Sequence, residues 1–391
     1  MASVVGEISR AELKDTHLKK VSITNVKHLS SYNWIEAASP TIAVPGSPAL
    51  WTPPTTPKKI DKDTGLIYIA QNTARHPDSP LEPLFRSLYI ENPSFRIDSV
   101  DLVTDRNNIR KLLSFVSPPL SKNRQEPWVI SAELVKNTNT VIFCRWETKT
   151  SEVIGPHEYK GFGHEFGKAF TTEQVLGSTG HHRVISYQLG PLKLMVRHET
   201  DGYFGASSAK ASAGSENVGV NVSSTFLPTF ALGLSSLSSP EAAAVGSKLR
   251  IKKEGQAIPI QSTLEIKTRA AHRPLSIRQV IPQLWVSQTP NLVRAYHTQG
   301  VFDEAKAEDV TCEIRRWEEE NQDIIKKLIL LIEKIVNQVK NCGGQAVIKY
   351  DERRDRLGIW KVDRERMLPD DLYNRFHEDL SKVKDDFDSR S

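Results

Sequence analysis

Leu264-Glu265-Ile266-Lys267-Thr268, an apolar-flanked Glu-x-Lys, is the stretch on which the fold of this 391-residue chain turns. An acidic segment that completes it lies upstream, Arg197-His198-Glu199-Thr200-Asp201. Each segment reads as the end of a β-strand, because apolar residues lead into the charges. Leu192, Leu194 and Val196 precede the first; Ile258, Ile260 and Leu264 precede the second. Residues i and i+2 of a strand share a face, so Glu199 and Asp201 point together, as do Glu265 and Lys267. If the two strands are neighbours, three carboxylates and one ammonium converge. Carboxylate oxygens suit a hard divalent cation such as Mg²⁺ or Mn²⁺. A lysine beside them holds an attacking water or a developing negative charge. That is the equipment for metal-assisted hydrolysis of a phosphodiester or pyrophosphate.

Taken singly, each pair reads as ordinary solvent-facing strand polarity. The joint order carries more: acidic strand, Glu-x-Lys strand, then a helix. In that helix Gln283 sits within an apolar run (Val280, Ile281, Leu284, Trp285, Val286), where a buried amide needs partners. A further carboxylate, Glu165 in Gly161-Phe162-Gly163-His164-Glu165, joins the set if its helix begins beside the sheet; otherwise it is an exposed helical Glu.

Other chemistries lack their residues. His164, His181 and His182 have no cysteine or second histidine at zinc-ligand spacing. There is no Gly-x-Ser-x-Gly elbow and no Gly-x-x-x-x-Gly-Lys-Ser/Thr loop. Prenyl-diphosphate chemistry needs two Asp-Asp-x-x-Asp clusters, and neither Asp370-Asp371 nor Asp385-Asp386-Phe387-Asp388 has that spacing. The net charge of +5 is mildly basic and compatible with a polyanionic substrate. Cys144, Cys312 and Cys342 are far apart, as expected of a reducing compartment, nucleus or cytosol. No apolar run reaches the roughly 18–20 residues of a membrane span, so no membrane partner is expected.

Along the chain, residues 1–60 are weakly patterned and proline-punctuated, and read as an extended arm over the domain surface with Trp34 and Trp51 as anchors. Residues 61–204 and 248–373 read as two parts of one domain, separated by a flexible Ser/Ala/Gly-rich insertion over 205–247. Within them the patterns predict antiparallel strands at Trp128 to Leu134 and Val141 to Glu147, and a hairpin over Gly190-Pro191. They also predict a long amphipathic helix from Val310 to Asn341 with its stripe at Ile325, Leu328, Leu331, Ile332, Ile335 and Val339. Residues 374–391 form a charged tail. The expected class is α/β (α+β), a central mixed sheet with flanking helices.

The order aromatic-Glu helix, Glu-x-Asp strand, Glu-apolar-Lys strand, Gln helix resembles the PD-(D/E)XK nucleases, and more narrowly the DXO-type decapping exonucleases. The motifs that carry it are Gly161 to Glu165, Glu199-Thr200-Asp201, Glu265-Ile266-Lys267 and Gln283 followed by Pro290. The resemblance implies a metal-dependent hydrolase of RNA 5′ ends, with decapping, pyrophosphohydrolase and possible 5′-to-3′ exonuclease activity. It implies that Glu165, Glu199, Asp201, Glu265 and the Ile266 carbonyl hold one or two Mg²⁺ or Mn²⁺ ions. Lys267 and Gln283 would position the water or the scissile phosphate. An upstream family motif sets an arginine between a strand and a helix, and Arg106 in Asp105-Arg106-Asn107 takes that place as an RNA-backbone contact; the family usually has Trp-Arg-Gly there. Pro282 directly before Gln283 and the long insertion also depart from the family pattern. The alternative is a catalytically inactive relative that binds RNA or a separate 5′-3′ exoribonuclease. A DNA nuclease of the same superfamily is a third possibility.

Overall fold

The computed structural model describes residues 3–14, 17–118, 126–205, 239–351 and 355–377. The expected insertion lies for the most part, 206–238, outside the described residues, as does the tail beyond 377. The expected tail starts inside a helix, Asp370–Phe376, whose Phe376 packs on Phe85 and Tyr373.

The expected class is the one found: large mixed sheets flanked by helices. Among the described residues, a 12-stranded sheet runs from Ser3–Ser9 at one edge to Glu241–Ala242 at the other. At its centre Leu192–Thr200 lies parallel to Leu102–Asp105 and antiparallel to Ser178–Leu189, the hairpin expected over Gly190-Pro191. A second, 8-stranded sheet is built around the parallel pair Thr263–Ala270 and Asn291–Thr298.

Alternation along the central strands puts two cores on opposite faces of the large sheet. On one face Leu194, Val196 and Ile185 meet the helices Arg106–Val116, Ile281–Ser287 and Gln322–Asn341. On the other, Met195, Val184 and Val103 meet Leu84, Phe85 and Leu88 of the helix Glu82–Glu91. A third core joins the helix Gly163–Phe170 to the second sheet through Phe162, Phe166, Phe170 and Leu264.

Two expectations need correction. The first 60 residues are not an arm over the surface. Ile23–Ile35 pairs with Ser178–Leu189 inside the large sheet, Thr41–Gly46 pairs beside it, and Ser3–Ser9 forms an edge. Trp34 and Trp51 are indeed buried, but as members of strands. The long helix is two, Thr311–Glu320 and Gln322–Asn341. At the break Asn321 donates its side-chain amide to the Trp317 carbonyl at 2.8 Å. The Gln322 side chain bonds both the N–H and the carbonyl of Val21, each at 2.8 Å. Those bonds tie the helix junction to the chain just before Ile23–Ile35.

Candidate active site

The site forms where the chain leaves one sheet for the other. Leu192–Thr200 belongs to the large sheet, and Gly202–Tyr203 pairs with Thr263–Ala270 of the second, Gly202 opposite Leu264. Asp201 is the residue at the crossing. The backbone is crowded next to it: a Cβ on Gly202 would lie 3.0 Å from the Ala49 carbonyl oxygen. The two acidic strands are therefore not hydrogen-bonded neighbours along their length. A two-residue strand bridges them and swings Asp201 over the second sheet, where its Oδ2 accepts the Ile266 N–H at 2.7 Å. A strand residue's N–H and carbonyl point to the same side, so the Ile266 carbonyl also faces the Asp201 side.

Glu265 is the hub. It is buried, and its Oε1 accepts hydrogen bonds from Lys267 Nζ and Gln283 Nε2. Its Oε2 accepts from Arg106 Nη1 at 3.1 Å. Burial alone would raise its pKa, but Lys267 and Arg106 win and hold the carboxyl down at about 2. Gln283 is thus a satisfied buried amide, as its apolar setting demands. Pro282 does no harm, because it sits in the first turn of the helix Ile281–Ser287, where no intrahelical donor is needed.

Asp201 and Glu199 have the opposite character. Burial first, and then the charge of Glu265, push Asp201 up to about 7 against the pull of Lys267. Glu199 faces open space, yet the protein around it raises its carboxyl too: burial outweighs Arg106, and Glu265 adds to the rise. Across the hairpin Glu199 stands opposite His182, whose Nε2 bonds Gln71 Oε1 at 3.1 Å. Burial keeps His181, His182 and His198 well below the ordinary histidine range, so they are neutral.

Glu199, Asp201, Ile266 and Lys267 line a cleft of about 1000 Å³ together with Asp63, His164 and Arg269. Glu165 is not among its lining residues. The backbone turns at Gly161, whose φ of +121° favours glycine, and the helix Gly163–Phe170 follows. There Glu165 pairs with Lys168 at 2.7 Å, while His164 faces the cleft. Asp63 Oδ1 accepts the N–H groups of both His164 and Glu165, at 2.9 and 3.0 Å, and so caps that helix from elsewhere in the chain. Nothing local in Asp61-Lys62-Asp63 announces this role.

The expected residues thus come together with one exception: Glu199, Asp201, Glu265, Lys267, Gln283, Arg106 and the Ile266 backbone gather, and Glu165 stands aside. Among the described residues no three Asp, Glu, His or Cys side chains are arranged to hold a metal ion as they stand. Glu199 has no partner among the described residues, and Asp201 uses one oxygen.

The family model of a domain of unknown function, DUF8563, matches residues 3–377. The chain belongs to that family. No curated protein matches this DUF8563 chain by sequence. Among solved structures it is similar to S. pombe Rai1, at 11% identity and a TM-score of 0.56 over 93% of this chain and 100% of that one. It is also similar to Candida albicans Rai1 in complex with pU5-Mn²⁺, at 13% identity and a TM-score of 0.58 over 96% and 99%. A third match is Scheffersomyces stipitis Rai1 in complex with (3′-NADP)⁺ and calcium ion, at 12% and 0.55 over 94% and 95%. The mixed sheets with flanking helices expected from the motif order are the fold that this DUF8563 chain shares with those Rai1 structures. Among the described residues no helix is long and apolar enough to cross a membrane.

Proposed function

We propose that this chain is a metal-dependent hydrolase of RNA 5′ ends, acting on incompletely or non-canonically capped RNA. One observation carries the reading: Glu199, Asp201 and Lys267 line a large cleft at the junction of two sheets, and Lys267 is bonded to the buried Glu265, which Gln283 and Arg106 hold from behind. The fold likeness supports it, since one similar structure holds pU5 with Mn²⁺.

The donor set is oxygen, which suits Mg²⁺ or Mn²⁺. Glu199 and Asp201 have acceptor oxygens to offer, the Ile266 carbonyl lies on their side, and Glu265 joins once Arg106 swings off. Bound there, the ion would lower the pKa of an attacking water and neutralise charge on the phosphoryl oxygens. Lys267, bonded to Glu265 and opening on the cleft, is placed to orient that water or the phosphate oxygen it attacks. Gln283 fixes the Glu265 carboxylate against rotation. Water oxygen adds to phosphorus, the P–O bond opposite breaks, and pyrophosphate or a cap nucleotide departs; Arg106 is positioned to take the phosphate charge. Further 5′-to-3′ trimming would repeat that displacement at the first phosphodiester.

The second reading, a nuclease-like fold kept for binding RNA or an exoribonuclease partner, is favoured by Glu165 pairing with Lys168 and by the closure of Glu265 with two internal cations. Digestion of 5′-triphosphate, unmethylated-cap, NAD-capped and 5′-monophosphate RNAs with Mn²⁺ separates the two. Expected is release from at least one end, lost in both Glu265→Ala and Asp201→Ala. Absence of turnover on every end, with RNA still retained, would select the binding role.

A further inference from the structure

Away from its acids, the cleft wall carries a group of different chemistry. Of the two benzene-type rings among the described lining residues, Phe162 is buried and Tyr159 stands 65% exposed. Tyr159 makes no side-chain hydrogen bond among the described residues. Its one ring contact there is with Phe162, edge to face at 5.7 Å and 71°. Phe162 in turn packs on His297 and Phe302, at ring distances of 4.5 and 6.0 Å. The exposed ring therefore rests on a fixed support.

The loop that presents it is tied at several points. The Gly155 N–H donates to Glu158 Oε2 at 2.9 Å, and the Glu158 N–H donates to the Gly155 carbonyl at 3.1 Å. Lys160 pairs with Glu152 at 3.2 Å, and the Gly161 carbonyl accepts the Asp63 N–H at 2.9 Å. A ring held in place yet left uncovered loses little freedom when a flat partner covers it.

The same contacts fix how far the ring lies from the acids. Phe162 touches His297, which stands opposite Ala270 in the parallel strand pair, five residues beyond Glu265. Five strand residues span about 16 Å. A phosphate attacked over Asp201 and Glu265 keeps its own nucleoside well short of Tyr159, whereas a base further along the chain reaches it. Arg269 lies on the way, on the strand face that carries Lys267, and it lines the cleft too. An aromatic face set among polar and charged walls matches a polymer that alternates bases with phosphates.

We propose that Tyr159 is a stacking platform for a nucleobase of the retained RNA chain, downstream of the bond that is broken. The substrate is then a single-stranded 5′ end, because a base inside a duplex has no free face to offer. This rests on the hydrolase reading for its substrate, but stacking itself requires no turnover.

The test is equilibrium binding of short, single-stranded 5′-phosphorylated RNAs to the parent and to three variants, with Ca²⁺ in place of Mn²⁺. Expected is a roughly tenfold to hundredfold loss of affinity in Tyr159→Ala and almost none in Tyr159→Phe. Tyr159→Leu, which keeps apolar area without a π face, is expected to fall between them. The same RNAs with one abasic residue, moved stepwise from the 5′ end, locate the partner. One abasic position beyond the first nucleotide is expected to weaken the parent and leave Tyr159→Ala indifferent. Equal affinity of the parent and Tyr159→Ala for intact RNA, at matched melting temperatures, would overturn the platform. So would losses that simply add at every abasic position, coupling at the first nucleotide alone, or a parent that binds none of the RNAs. The two readings fail separately. A protein inert on every RNA end whose affinity still depends on Tyr159 and one base loses the hydrolase reading alone. A protein that hydrolyses RNA ends with KM and affinity unaltered in Tyr159→Ala loses the platform alone.

Discussion

Asp201 and Glu265 are carboxylates that face one another and titrate in opposite directions. The Asp201 carboxyl is pushed up to about 7 from an ordinary 3.8, by burial first. Between those pH values the folded protein keeps a proton that the unfolded chain has released. The stability contributed by that proton is complete below pH 3.8 and is lost as pH rises through about 7. Asp201→Asn needs no proton and keeps an oxygen for the Ile266 N–H. In EDTA it is expected to match the parent near pH 4 and to exceed it at pH 8. At 1.36 kcal/mol per pH unit the ceiling is about 4 kcal/mol, and water in the cleft reduces it to roughly half. Chemical denaturation at the two pH values checks this, and a difference independent of pH would refute it. Glu265, held at about 2 against an ordinary 4.5, behaves conversely: its contribution is present above pH 4.5 and disappears as pH falls toward 2.

At the scale of elements, the Gly163–Phe170 helix depends on a residue from a distant loop. Asp63→Ala leaves the N–H groups of His164 and Glu165 without their acceptor, and a lost N-cap costs about 1 kcal/mol. The expected result is a small drop in melting temperature with faster amide exchange confined to the start of that helix; exchange unchanged there would count against Asp63 as the cap. This contact also shows what the sequence could not disclose. Glu199, Asp201, Glu265 and Lys267 were legible because apolar alternation leads into charge, and Gln283 because an amide in an apolar run must be satisfied. Glu165 was placed on the condition that its helix begins beside the sheet, and by the motif. Its pairing with Lys168 depends on where the helix starts, which Gly161 and Asp63 decide together. Ile23–Ile35 went unread for a related reason. Its inner half buries Ser30, Ser31 and Asn33, which a hydropathy pattern scores as surface. Their partners lie far off in sequence: Ser87 Oγ at 3.1 Å from Ser30, Glu91 accepting the Ser31 N–H at 2.7 Å, and the Ser47 carbonyl at 2.9 Å from Asn33.

For the molecule as a whole, the proposed divalent cation at the junction of the sheets would stabilise the folded state through mass action. Mn²⁺ at a hundredfold its dissociation constant adds about 2.7 kcal/mol, which thermal melting resolves as a rise of several degrees. The rise is expected in the parent and absent in Asp201→Ala; a parent insensitive to Mn²⁺ would mean that the carboxylates never assemble around an ion.

The crossing at Gly202 and Leu264 has a consequence for how this architecture tolerates change. The chain running from Asp201 to Glu265 departs and returns at the same knot, where both ends are tied by pairing and by the Asp201 bond to Ile266. The part of that interval outside Glu241–Ala242 and Arg250–Gly255, which pair in the large sheet, is where added length leaves the knot as it is. Lengthening it adds loop-closure entropy that grows only logarithmically, about 0.6 kcal/mol for each doubling, and does not alter the spacing of the acids. Relatives of this chain are therefore free to differ widely in that interval while keeping one and the same arrangement of carboxylates.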